Sequence, residues 1–473
     1  MRMTHQRTRC LQVLSSPFPE GLPLFPGPGA VDPELQAVLK HSVELLCRWY
    51  GDSHQHGPRP HLSLVPGAAP LEQGRSPDAL LDDLRTVMAG AFRPNHPGAL
   101  AHLDPPPLAI SVVADLVASG LNNNLLAEEL SPSLTRLERQ LCRWLADRIG
   151  LGPDAGGVPA SGGSLSNLMA LVCARKQAGL QTRTDAVVLA GSAVHVSFHK
   201  ALTVMGLPPE ALRTLPLDQA GRLCPDTLRQ ALQLAQQQGR PVLAVVGVAG
   251  TTIQGAIDPL AELGALCREF GVWFHVDAAI GGVCGLSDQH RWRVAGLELA
   301  DSVCLNPQKL LGISKPSSVL LVRRSESLAD TFSTALPYME ETASPQGGDL
   351  GLQGTRGAEV LKLWLGLQHL GLEGIDAVIS AALERRQCLL QLLEPLPLTL
   401  LPGDLHLLSF RHASLAGEAA MGWRDRVHQA LLEHNLWLSK PNLNGQPLLK
   451  AVLGNPFTGE RELQQIAAVL QAS

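Results

Sequence analysis

Five apolar runs of strand length punctuate the middle of the chain: Ala186–Ala190, Val242–Val248, Val272–Val276, Ser302–Leu305 and Val319–Val322. Each is nearly continuous rather than alternating, which predicts strands covered on both faces. Helix-patterned segments of ten or more residues separate several of them, from about Ser131 onward. That succession predicts a mainly parallel α/β sheet whose ligands gather at the strand ends. Leu165, Leu168, Met169, Val172 and Cys173 recur at helical spacing and predict one buried helical stripe.

The pattern is different at both ends. Residues 15–29 and 57–70 carry too much proline and glycine for regular structure, and Pro33–Tyr50 between them reads as a helix. Residues 1–90 are therefore expected to form an arm with one or two helices. A large α/β domain is expected over 91–373. After a long helix beginning near Ala358, a strand at Leu405–Phe410 and helices around Trp423–His434 and from Gly459 predict a small α+β domain over 374–473.

Composition narrows the class. With 473 residues, 45% hydrophobic and 17% charged, the chain is long enough to bury a large core. A net charge of −5, with no basic cluster interleaved with aromatics, argues against nucleic-acid binding. No uncharged apolar run approaches the roughly 18 residues of a membrane span, and no signal-cleavage pattern follows Arg2, Arg7 and Arg9. Nine cysteines without a Cys-x-x-Cys pair fit a reducing compartment rather than a zinc knuckle or disulfide framework, so a cytoplasmic location is expected.

The most informative chemistry is a spacing. Asp277 ends the run Val272–Val276, and Lys309 of Asn306-Pro307-Gln308-Lys309 follows 32 residues later. An acidic residue at one strand end and a lysine in a turn after another are what pyridoxal phosphate requires. The amine forms a Schiff base with the cofactor aldehyde, and the carboxylate keeps the pyridine nitrogen protonated, so that the ring accepts electrons. Taken singly, such an aspartate is commonly a strand-end cap and such a lysine a surface charge. Ser161-Gly162-Gly163-Ser164 stands immediately before the amphipathic helix, where backbone amides and the Ser164 hydroxyl can cradle a phosphate or simply form a turn. His195 and His199 stand four residues apart, but position 196 is valine, so the pair lacks the glutamate of a His-Glu-x-x-His zinc site and no metal is expected.

The ordered set His275-Val276-Asp277-Ala278-Ala279, Ala300-Asp301-Ser302-Val303 and Asn306–Gly312 resembles the group II pyridoxal-phosphate-dependent amino-acid decarboxylases. These include glutamate, cysteine-sulfinate, diaminobutyrate and aromatic amino-acid enzymes, and the resemblance runs from about His96 to the C-terminus. It implies a fold-type I architecture: a mainly parallel seven-stranded sheet with helices on both faces, a small C-terminal domain, and an arm packed on the partner of a homodimer. It also implies that Gly163, Ser164 and Asn306 serve the phosphate, and that Thr252 lies beside the pyridine ring. His195 and Ala279 would take opposite faces of that ring. Tyr338, on a loop between Leu336 and Gly348, would reprotonate the substrate carbon after carbon dioxide leaves. His102, Asn124 and Lys450 would line the substrate side.

Three departures stand out. Gln308 replaces the usual histidine before the Schiff-base lysine, and a neutral amide there loses a titratable donor. His102 stands where glutamate-type relatives carry glutamine, and Lys450 replaces the arginine that pairs with a substrate carboxylate. Lysine keeps the charge but loses the planar two-pronged donor. The stretch Leu352-Gln353-Gly354-Thr355-Arg356 to Leu361-Lys362-Leu363-Trp364 leans toward the glutamate and cysteine-sulfinate branch. Decarboxylation of an acidic L-amino acid (glutamate, aspartate or cysteine sulfinate) is the expected activity. Diaminobutyrate or aromatic substrates, transamination, oxidative deamination, or cofactor binding without turnover are the alternatives.

Overall fold

The computed structural model describes residues 22, 25–60, 65–334 and 344–473. Seven strands form its central sheet: β1 (Gly156–Ala160), β2 (Val187–Gly191), β3 (Leu212–Leu215), β4 (Val242–Val248), β5 (Trp273–Ala278), β6 (Ser302–Leu305) and β7 (Ser318–Val322). Their order is β1-β7-β6-β5-β4-β2-β3. Only β7 opposes its neighbours, pairing antiparallel with β1 and β6, so the sheet is mainly parallel as expected. The apolar runs are buried because helices cover both faces, and Phe274 and Val276 of β5 are sealed from solvent. A fully buried phenylalanine contributes about 2–3 kcal/mol by removal of apolar surface from water.

Two strands escape a hydropathy reading. β1 is Gly-Gly-Val-Pro-Ala, a sequence of low strand propensity whose Pro159 cannot donate to a ladder. It is tolerated at the sheet's edge, where β7 is its one partner. β3, Leu-Arg-Thr-Leu, is four residues at the opposite edge with Arg213 and Thr214 exposed.

The helix Gly163–Gln177 corrects the predicted stripe. Met169 and Cys173 are buried as expected, but Leu165, Leu168 and Val172 are only half-buried, whereas Ser166, Asn167, Ala170, Leu171 and Ala174 are sealed. The helix lies along the sheet and touches β4, β5, β6 and β7, so even its polar residues face strands. Leu260–Phe270, which links β4 to β5, ends at Gly271 with φ 65°, a left-handed cap suited to glycine.

A helix of 35 residues, Glu359–Leu393, crosses the expected boundary at 373/374 and is broken at Gly371, where φ is 60° and ψ is −177°. Its first half packs on the helix Ala109–Leu121. There the buried Lys362 meets Asp115 at 3.1 Å and Glu359 at 2.7 Å. Beyond it, strands Leu398–Leu400, Leu407–His412 and Leu449–Val452 form an antiparallel sheet covered by helices Gly417–Glu433 and Glu460–Gln471. Near the N-terminus, helices Pro33–Gly51 and Pro77–Ala89 pack on one another. Among the described residues no helix is long and apolar enough to cross a membrane, no group of three or more side chains could hold a metal ion, and the cysteines are free.

Candidate active site

Because β1, β2, β4, β5 and β6 run the same way, the segments leaving their carboxyl ends gather along one edge. Ser161–Ser164 follows β1, His195 follows β2, Thr252 follows β4, Ala279 follows β5 and Asn306–Lys309 follows β6. Asp277, 6% exposed, is the last residue but one of β5, beside Val248 and Cys304. Its Oδ2 accepts from Asn167 Nδ2 at 2.9 Å and its Oδ1 from the Ala279 amide at 3.2 Å. His195 is half-buried, with Ser197 Oγ 2.9 Å from its Nδ1. Burial lowers its pKa from the ordinary imidazole range; Lys309 and Lys200 act the same way and Asp277 opposes them.

Another part of this edge is built by the start of the helix Gly163–Gln177. Gly162 precedes it at φ 151°, and its carbonyl already accepts from the Leu165 and Ser166 amides. A Cβ on Gly163 would stand 3.0 Å from the Asn306 side chain and 3.3 Å from Cys304 Sγ, so the helix starts this close to the Lys309 turn because residue 163 is glycine. Asn306 is buried and takes the orientation in which its oxygen faces the Gly163 amide at 3.3 Å. Its nitrogen then donates to the Leu305 carbonyl at 3.1 Å and Ser318 Oγ at 2.7 Å. The reverse orientation would set oxygen against a carbonyl. Asn306 thus ties the helix start to the lysine turn.

Lys309 ends the short turn Pro307–Lys309 and is half-buried. The preceding Gln308 accepts from the Ser317 amide at 2.5 Å, so its carboxamide braces the turn against the chain leading into β7. On the other side, the Val452 amide donates to the Leu100 carbonyl and the Leu100 amide to the Trp437 carbonyl, lacing residues 98–102 onto the small domain. His102 rests edge-on against Trp437 with centroids 5.3 Å apart. Lys450, 6% exposed, donates to the Thr252 carbonyl at 3.2 Å. Burial pushes its amine down to about 8, with Lys309 acting the same way and Asp104 opposing. Burial also lowers the His102 pKa, helped by Lys450 and Lys315 and opposed by Asp104.

Asn124 behaves differently. Its Oδ1 accepts from the Leu126 and Arg356 amides at 3.0 and 3.2 Å, so the side chain is committed to local backbone. Tyr338 lies outside the described residues.

A primary amine, a buried carboxylate and a glycine-started helix N-terminus on one sheet edge are the donor set that pyridoxal phosphate needs. The model of the pyridoxal-dependent decarboxylase conserved domain matches residues 58–401. The chain belongs to the pyridoxal-dependent decarboxylase family. Its cofactor is therefore pyridoxal phosphate and its reaction class amino-acid decarboxylation. Within the family, it is 33% identical to an L-2,4-diaminobutyrate decarboxylase of Rhizobium meliloti over 72% of this chain and 70% of that one. It is 31% identical to an L-aspartate decarboxylase of Metarhizium robertsii over 69% and 68% of the two chains. The mouse cysteine sulfinic acid decarboxylase is 31% identical over 66% of this chain and 65% of its own. The crystal structure of Oryza sativa TDC with PLP and tryptamine superposes with a TM-score of 0.87 at 22% identity, over 95% of this chain and 99% of that one. At that identity the superposition speaks for the fold alone.

Sequence reasoning gave no role to Asn167, whose Nδ2 donates to Asp277 Oδ2 at 2.9 Å. It falls between the apolar positions Leu165 and Leu168 of the stripe, and the signal that could have found it is a polar residue on a helix that the sheet must cover. Ser197, beside His195, was equally inconspicuous as a small polar residue at the start of a helix.

Proposed function

We propose that the protein is a cytoplasmic, homodimeric decarboxylase of an acidic L-amino acid. Lys309 would hold the cofactor covalently through Nζ, while the Gly163 and Ser164 amides with the Ser164 hydroxyl would take its phosphate. Asp277 would meet the pyridine nitrogen, and His195 and Ala279 would bracket the ring, with Thr252 at its edge. When bound, the cofactor supplies a ring that takes up the electron pair left as carbon dioxide departs. Asp277 holds the proton on the ring nitrogen while negative charge develops, a fixed charge placed where the transition state needs it. Tyr338, by resemblance, would return a proton to the substrate carbon.

The observation that carries the acidic preference is Lys450. Its buried amine lies by the Thr252 carbonyl and His102, the side that resemblance gives to the substrate, and a second carboxylate on the substrate would satisfy it. The relative acting on diaminobutyrate favours a different substrate, but an ammonium side chain directed at Lys450 would meet a like charge. Dimerisation is supported by the apolar residues that the arm leaves exposed, Leu39, Val43, Leu80, Leu84 and Val87, together with Val113, Leu116 and Val117 on Ala109–Leu121. A reducing compartment is supported by the free thiols at Cys142, Cys173, Cys267, Cys284 and Cys304. Carbon dioxide release from aspartate, glutamate, cysteine sulfinate, diaminobutyrate, tryptophan and tyrosine tests the reading. An acidic substrate is expected to be turned over fastest, and faster turnover of diaminobutyrate or an aromatic amino acid would overturn it.

A further inference from the structure

Behind Asp277 runs a continuous chain of hydrogen-bonded side chains, buried except at its two half-buried ends, Trp273 and His195. Trp273 Nε1 donates to Ser302 Oγ at 2.8 Å, and that hydroxyl lies 2.9 Å from His275 Nδ1. His275 Nε2 lies 3.0 Å from Asn167 Oδ1. Asn167 Nδ2 then divides, reaching Asp277 Oδ2 at 2.9 Å and Ser197 Oγ at 3.1 Å. Ser197 closes the second branch on His195 Nδ1, through Oγ at 2.9 Å and its backbone amide at 3.2 Å. Asn167, Ser197, His275 and Ser302 are all essentially sealed from solvent.

The ends of this chain dictate the direction of every link. A carboxylate only accepts, so the Asn167 amino group must face Asp277 and its oxygen must face His275. His275 therefore carries its proton on Nε2. Complete burial, which lowers its pKa to about 4, keeps it neutral, so Nδ1 accepts from the Ser302 hydroxyl. Ser302 in turn accepts from the Trp273 indole, which can only donate. On the other branch, the second amide proton of Asn167 goes to Ser197 Oγ, which frees the Ser197 hydroxyl proton for His195 Nδ1. The Ser197 backbone amide, another obligatory donor, requires the same thing of that nitrogen. His195 is left with its proton on Nε2, toward the site.

We propose that Asn167 is the positioning residue of this site. Its carboxamide, oriented by His275, fixes in one hydrogen-bond system both the Asp277 carboxylate and the proton position on the His195 ring. The inference rests on the cofactor placement proposed above. In that placement Asn167 touches neither substrate nor cofactor; it acts on one group that meets the ring nitrogen and on another that covers the ring face. Apolar periodicity offers no reason for an asparagine there, and local capping offers none either, because its partners come from β5 and from the segment after β2.

Borohydride trapping of pyridoxal phosphate on Lys309 in the unaltered protein tests the underlying placement separately. Where trapping succeeds, Asn167→Ala is compared with Ser197→Ala for pyridoxal phosphate affinity, visible absorption and induced circular dichroism of the bound cofactor, and melting temperature without cofactor. Asn167→Ala is expected to weaken cofactor affinity roughly 10- to 100-fold, the loss of a hydrogen bond to a charged group, and to alter both spectra. Ser197→Ala, which removes the hydroxyl link between Asn167 and His195 but leaves the backbone amide on His195 Nδ1, is expected to change the dichroism less than Asn167→Ala does, with an affinity within about 3-fold of the unaltered protein, because Asp277 keeps its amide partner. A lowered melting temperature with unchanged affinity and spectra in Asn167→Ala would make Asn167 merely structural and overturn the proposal. If Asn167→Ala does not fold, 15N-histidine spectra of the unaltered, cofactor-free protein decide. A neutral, Nε2-protonated His275 from pH 6 to 8 supports the proposal, and the other tautomer or a titration in that interval overturns it.

Discussion

Arg356 and Glu138 form a buried two-pronged ion pair, with Nη1 to Oε2 at 3.0 Å and Nη2 to Oε1 at 2.8 Å. Both side chains are nearly sealed, at 6% and 5% exposure. The pair joins the helix Pro132–Arg148 to the segment downstream of residues 335–343. Arg356 also donates to the Gly347 carbonyl at 3.4 Å, and its own carbonyl accepts from the Leu125 amide at 2.9 Å.

Glu138→Ala is expected to destabilise the protein by about 3–5 kcal/mol, because it strands a buried guanidinium. Replacing both partners by apolar residues, as in Glu138→Met with Arg356→Leu, is expected to recover most of that loss. Urea unfolding of the single and double variants measures the difference. A single-variant loss below about 1 kcal/mol, the range of an exposed pair, would mean that water reaches the site.

Asp277→Asn is expected to cost on the order of 100-fold or more in turnover, comparable to removing one well-placed electrostatic stabiliser. Cofactor affinity is expected to fall less, because in the proposed placement Lys309 and the phosphate contacts would still hold it. Steady-state rates at saturating cofactor read the effect directly. Near-normal rates would show that another group holds the pyridine nitrogen.

Lys450 sets a pH dependence. With its amine pushed down to about 8, the side chain is charged below that pH and progressively neutral above it, in a setting that also contains Asp104, Lys309 and His102. KM for an acidic substrate is therefore expected to rise between pH 7.5 and 9.5, by up to about 10-fold per pH unit once the neutral amine dominates. Lys450→Met is expected to raise KM at pH 7 and flatten that rise. Parallel pH profiles for the two proteins would sink the assignment.

Tyr338→Phe tests the residue that sequence resemblance alone assigns. Without the hydroxyl, carbon dioxide loss continues but the substrate carbon lacks its proton donor. The product is expected to shift from amine toward aldehyde, with dioxygen consumed and ammonia released. Unchanged amine yield and rate would leave Tyr338 without a part in the reaction.

What was legible in the sequence follows from where the signal resides. β4 and β6 carry their instructions in their own apolar runs, and Asp277 and Lys309 are marked by the ends of such runs. β1 does not, because Gly156, Gly157 and Pro159 form a strand only once β7 offers a partner. Asn167 escaped for a related reason: its burial is decided by β5, which lies more than a hundred residues away in sequence. Asn124 shows the opposite case, since its motif resembles a substrate-lining segment while its carboxamide is occupied by the Leu126 and Arg356 backbone.

The helix Glu359–Leu393 gives this geometry a further meaning. Leu363 and Leu367 upstream of Gly371, and Ile375, Ile379 and Ala382 just downstream of it, belong to the same core as Leu310 and Leu311, next to Lys309; Leu389 and Leu393 near the helix's end belong to the core that carries Leu449 and Ala451, on either side of Lys450. One helix thus contributes to the cores behind both lysines. A disturbance of its last turns would therefore reach the support of Lys450 before that of Lys309.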